Sequence, residues 1–118
     1  MTTTHRFPEG TTARYRYTIL DQDRRPISLV GAQLDYGMYR SDQPRTGPVT
    51  PIISKTIGSG IVIVDAPKGV MQIEYYPHET VDMAGIYDWE LELREPNGDT
   101  WLAGSGKVVI LPGRRLDA

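Results

Sequence analysis

Apolar and polar residues alternate with a period of two along almost the whole chain, the pattern of strands with one face buried. Between Thr11 and Leu20, Tyr15, Tyr17 and Ile19 fall on one face and Arg14, Arg16 and Thr18 on the other. Asp21 to Pro26 is a polar turn, and Ile27-Ser28-Leu29 reads as a short strand ending at Gly31. From Ala32 onward Leu34, Tyr36 and Met38 point inward, against Gln33, Asp35 and Tyr39. Pro44, Pro48 and Pro51, with Gly47, break helices and central strands alike, so Ser41 to Pro51 is the longest predicted loop and an exposed, adaptable segment. Ile52–Thr56 and Ile61–Val64 are β-branched runs on either side of Gly58-Ser59-Gly60. Val70 to Tyr76 follows, with Met71, Ile73 and Tyr75 on one face. Pro77 to Ala84 is a crossover with room for one helical turn. Ile86 to Arg94 sets Tyr87, Trp89, Leu91 and Leu93 against Asp88, Glu90, Glu92 and Arg94. Pro96-Asn97-Gly98-Asp99 is a hairpin turn, and Thr100 to Leu111 is the last strand, where Gly104 and Gly106 suggest a bulge or a close backbone approach.

About eight short strands at this spacing predict an all-β fold, an immunoglobulin-like antiparallel β-sandwich of roughly seven to nine strands. Residues 1–10 read as a flexible N-terminal arm, 11–112 as the sandwich and 113–118 as a C-terminal tail, frayed or used to contact a neighbour. The length, 118 residues, is that of one domain able to bury its own core. Thirteen basic against fifteen acidic residues leave a net charge of −2, which argues against nucleic acid as a partner. The absence of cysteine removes disulfides, thiolate metal sites and thiol nucleophiles together. With no long apolar run and no signal-peptide core, the chain is expected to stay in a cytoplasm or to leave it without a signal, with no membrane as partner.

The segment Gly85-Ile86-Tyr87-Asp88-Trp89 carries the most specific local signal. In immunoglobulin-like sandwiches a glycine followed by a tyrosine two residues later opens a strand at a tight corner, and the tyrosine hydroxyl bonds back to the preceding backbone. Trp89 then points into the core, at the position where antibody domains carry a cysteine. Trp101 follows a hairpin turn and is a candidate for a binding surface. Seven tyrosines against one phenylalanine suit half-buried sheet faces and wet protein interfaces. His78, Glu79 and Asp82 match no known metal cage in spacing or ligand type, and Glu90 and Glu92 share the outer face of one strand, with no cleft between them. Gly104-Ser105-Gly106 is no nucleophile elbow, and Gly58-Ser59-Gly60 opens no helix that could cradle phosphate. No catalytic residue, metal or cofactor is expected.

The order of features from Tyr17 onward resembles a module widespread in tailed bacteriophages. Tyr17 to Ala32 supplies a strand, an Asp-rich turn, Pro26-Ile27-Ser28-Leu29 and Gly31-Ala32. Gly60 to Asp65, Lys68-Gly69-Val70, Gly85 to Glu92, Asn97-Gly98 and Gly106 to Ile110 then follow in sequence. The set is similar to the N-terminal module of phage baseplate upper proteins and of related tail, receptor-binding and neck proteins, and it covers residues 10–111. The resemblance implies an Ig-like attachment module without catalytic residues, a structural protein of a virion assembled in the bacterial cytoplasm. A baseplate, tail, neck or capsid-decorating subunit fits, in many copies forming a ring or lattice with other virion proteins. The baseplate proteins continue into long C-terminal regions, whereas this chain ends with the sandwich, which sets it apart from them. Candidate contact residues are Tyr39, Pro44, Pro48, Tyr76, Trp101, Arg114 and Arg115. The alternative is a carbohydrate-binding module, with Trp101, Tyr39 and Tyr76 as a stacking platform for a host surface glycan, provided that they share a face.

Overall fold

In a computed structural model the described residues are 3–41 and 49–113. They form eight strands: β1 (His5–Pro8), β2 (Ala13–Thr18), β3 (Gln33–Arg40), β4 (Ile53–Ile57), β5 (Gly60–Asp65), β6 (Val70–Tyr75), β7 (Gly85–Arg94) and β8 (Thr100–Leu111). One 3-10 turn, Pro77–Glu79, lies in the crossover between β6 and β7. All eight strands belong to one mixed sheet in the order β1-β8-β7-β3-β4-β5-β6-β2. The sheet curls until its two ends, β1 and β2, meet, so the architecture is nearly a barrel.

The period-two pattern is what fills the interior. Leu34, Tyr36 and Met38 of β3, Met71, Ile73 and Tyr75 of β6, and Trp89, Leu91 and Leu93 of β7 are all buried, as their alternation requires. Val108 and Ile110 of β8 complete that layer. On the outer face of β2 and β6, Arg14 meets Glu74 at 2.8 Å across the pair.

The sequence expectations and the structure part in three places, and a further set of residues lies outside what the structure describes. Pairing is not antiparallel throughout: β1 runs parallel to β8, and β4 parallel to β5 over a short contact. The arm expected at residues 1–10 contains β1, because His5 and Phe7 are alternate, buried positions facing the core. Ile27 to Leu29 is no strand. Only Leu20 and Pro26 form a bridge there, and the amides of Ile27 and Leu29 bond instead to the carbonyls of Ile19 and Ala66. Finally, Pro44 and Pro48, most of the Ser41–Pro51 loop, and Arg114 and Arg115 lie outside the described residues.

Both features expected of the glycines in β8 are present. The ladder with β7 slips between Leu91 and Glu92, so that Ala103 is an extra residue beside Gly104. Gly106 is where the N-terminal segment crosses: a Cβ there would come within 1.8 Å of the Thr3 carbonyl oxygen.

Candidate functional site

The two ends of the sheet close through side chains. The His5 ring of β1 lies between Tyr15 and Trp89, stacked at 4.0 and 4.6 Å. One of its ring nitrogens, Nδ1, is bonded to the Tyr75 hydroxyl at 2.7 Å, and Nε2 is bonded to the hydroxyl of Tyr17. A neutral imidazole has one donor and one acceptor nitrogen, and here both are used. Beside it the Tyr15 hydroxyl accepts from the Arg6 amide and donates to the Arg6 carbonyl, each at 3.0 Å. One phenol thus stands in for two ladder bonds that β1 and β2 do not make to each other. Removal from water pulls the His5 pKa down to about 4 and pushes that of Tyr17 up to about 12. The same desolvation raises Tyr36 and Tyr75, whose hydroxyls bond to each other.

Perturbed titrating groups often mark active sites. Here His5 is 0% exposed, and its two polar atoms are already partnered. The His5 ring itself is spent on closing the sheet, between half-buried Tyr15 and Tyr17 and buried Tyr75 and Trp89.

A second buried polar feature joins β4 to the crossover. Lys55 points inward, 2% exposed, and its ammonium donates to both carboxylate oxygens of Glu79 at 2.7 Å. Glu79 also accepts from the Tyr76 amide at 2.8 Å, which fixes the start of the 3-10 turn. The ammonium lies 5.2 Å from the centre of the Tyr75 ring and 5.3 Å from that of Tyr76. Neither Lys55 nor the interior place of His5 was foreseen from sequence. The inward parity of Lys55 on β4 was there to be read, but a lysine at such a position looks like a surface residue until its partner is known.

The Tyr87 hydroxyl donates to the Met83 carbonyl at 3.0 Å, just ahead of Gly85. Trp89 is fully buried, and its indole N–H donates to the Thr3 carbonyl at 2.9 Å. The three residues proposed as a stacking platform are separated. Trp101 pairs with Leu93 on the inner side of β7, whereas Tyr39 pairs with Asp88 on the outer side. Tyr76, beyond the end of β6, stacks on His78 at 6.1 Å. Among the described residues no three His, Cys, Asp or Glu side chains come together as a metal site, and no helix is long and apolar enough to cross a membrane.

What remains open is one side of β8. β1 pairs with it only from Val108 to Leu111, and Thr3 adds one bond, to the Ser105 carbonyl. From Thr100 to Gly104, β8 pairs with β7 alone among the described residues. Opposite this uncovered edge stands the turn from Leu20 to Pro26, and between them runs a groove of about 1030 Å³. Three large apolar residues of its lining, Leu20, Trp101 and Leu102, are 49%, 46% and 65% exposed. Asp21, Asp23 and Glu95 also line it, against the single cation Arg24. The Asp21 carboxylate accepts from the amides of Asp23 and Arg25, so this wall is held in shape, and Glu95 accepts from the Trp101 indole at 2.9 Å.

No protein-family model matches the chain. None of the curated proteins matches it either.

Proposed function

We propose that this chain is a structural subunit that works by protein–protein contact, in a tailed phage or phage-like particle of the kind that its sequence resembles. The observation that carries the contact reading is the uncovered half of β8 beside exposed Leu20, Trp101 and Leu102. Unpaired strand edges next to apolar side chains are what extended partners add to, by backbone hydrogen bonds for affinity and side-chain pockets for selectivity. Proteins that act alone generally cover such an edge with charge, proline or a loop.

The finer fold assignment belongs to the same reading. The Tyr87–Met83 corner bond and Trp89 in the core support an Ig-like sandwich whose two layers have become one curled sheet. The particle setting rests on the ordered motifs from Tyr17 to Ile110. Copies arranged in a ring or lattice, bound to other virion proteins, would make modest interfaces add through avidity. Mass spectrometry of purified particles, together with electron microscopy after labelling of this chain, tests the reading. The expected result is the chain at fixed stoichiometry in intact particles. Its absence from particles assembled while the chain is abundant would remove the proposal.

A further inference from the structure

Among the described residues nothing occupies the groove beside β8, and its chemistry says what kind of chain it takes. Three carboxylates against one guanidinium make it acidic, and Leu20, Trp101 and Leu102 give it an apolar floor and rim. An extended segment with adjacent basic residues followed by an apolar one is complementary to such a site. This chain carries one sequence of that description just beyond β8, Arg114-Arg115-Leu116.

Geometry excludes the chain's own copy. Leu116 is five residues past Leu111, and five residues span at most about 18 Å. Trp101 lies ten residues back along β8, roughly 33 Å away at the rise of a strand. The segment cannot fold back to its own groove, but the same segment of a neighbour can enter it.

We infer that the groove beside Thr100–Gly104 receives the Arg114-Arg115-Leu116 segment of a second copy of this chain, laid along the uncovered edge of β8. The two basic side chains meet Asp23 and Glu95, and Leu116 packs with Trp101 and Leu102. Donor segment and acceptor groove are different surfaces at opposite ends of β8. The contact is therefore head-to-tail, and it builds a closed ring or an open filament depending on the angle between copies. This rests on the contact reading above and adds the partner and the polarity of the assembly.

The test uses the full chain in analytical ultracentrifugation across a range of concentrations, at low and high salt. The wild type is expected to associate, and more weakly as salt rises. Arg114→Glu/Arg115→Glu and Asp23→Lys/Glu95→Lys should each weaken self-association at least tenfold, since each places like charges together. Mixing the two variants should restore assembly, because each tail then finds an oppositely charged groove. In the Arg114→Glu/Arg115→Glu chain, a peptide covering residues 111–118 should shift the Trp101 indole N–H resonance, while a scrambled peptide should not. A wild-type chain that stays monomeric at every concentration overturns the inference. So does association that is unchanged in Arg114→Glu/Arg115→Glu, which would mean symmetric β8-to-β8 pairing. A glycan that moves the Trp101 resonance where the peptide does not also overturns it. A monomer still found at fixed stoichiometry in particles would remove this inference and leave the structural role. A head-to-tail assembly absent from particles would do the reverse.

Discussion

At His5, burial and charge pull in opposite directions, and burial wins. Between Tyr15 and Trp89 the imidazole is held neutral, with its pKa pulled down to about 4 from an ordinary value near 6.5. The unfolded chain therefore binds a proton that the folded chain refuses over that interval. Stability is full above about pH 6.5 and falls as pH drops toward 4, by about 2 kcal/mol at pH 5 from this group alone. Urea midpoints measured between pH 7.5 and 5 should show the slope, and His5→Gln should flatten it. A slope unchanged in that variant would mean that the ring titrates normally and does not close the sheet. Glu74 has the same sign but a lower window: its pKa is also lowered, first by the hydrogen bond from Arg14, so its contribution too is lost as pH falls, but only at more acid pH, below the range measured. Trp89 is the simpler case. Fully buried and stacked on His5, Tyr17 and Tyr36, it should lose about 3–5 kcal/mol on truncation to alanine in denaturant titrations. A cost under about 1 kcal/mol would place it on the wrong face of β7.

At the scale of elements, alternation is local and long-range pairing is not, and this divides what was legible in the sequence from what was not. Leu34, Tyr36 and Met38, or Trp89, Leu91 and Leu93, declare their face by spacing alone. His5-Arg6-Phe7 is too short to show a period, and β1 becomes a strand only because Val108 to Leu111 lie alongside it in the fold. Gly106 is the point of commitment. Valine there would drive its Cβ into the Thr3 carbonyl, lifting the N-terminal segment and leaving the Trp89 indole without its acceptor. A buried donor left unpaired costs about 1–3 kcal/mol. Gly106→Val should therefore destabilise by that much and expose residues 1–8 to proteolysis while β7 stays protected. An uncleaved N-terminus would mean that β1 is held without this crossing. Lys55 was illegible for a related reason, since its partner is 24 positions away. Glu79→Ala should cost roughly 3–5 kcal/mol by stranding a buried ammonium, whereas Lys55→Met/Glu79→Leu should recover most of that loss. Equal losses in the single and double variants would show that packing matters there and the ion pair does not.

For the whole molecule, the way the sheet closes explains where it stays open. The Tyr87 hydroxyl bond, the core tryptophan and the seven strands from β2 to β8 were readable because each depends on nearby residues. The single curled sheet was not, because it depends on two terminal strands meeting through aromatic rings. β1 is shorter than β8, four residues against twelve, so it closes one end of the gap with β2 and leaves the groove at the other. A seam with β2 closed by side chains, and a ladder to β8 of only four residues on the other side, imply that β1 can be removed and returned. A chain lacking residues 1–9 should bare the Val108–Leu111 edge and the faces of Tyr15 and Trp89, and so aggregate or lose stability. A synthetic peptide of residues 1–9 should restore its near-ultraviolet dichroism and its monomeric sedimentation relative to that aggregate. The same peptide with His5→Ala should need at least tenfold more to do so, because it lacks the ring that Tyr15 and Trp89 enclose and that Tyr17 and Tyr75 bond. If the shortened chain is as stable as the full one, the seam contributes nothing. The sheet would then hold its curl through β2 to β8 alone, and the open half of β8 would be the end of a wider gap.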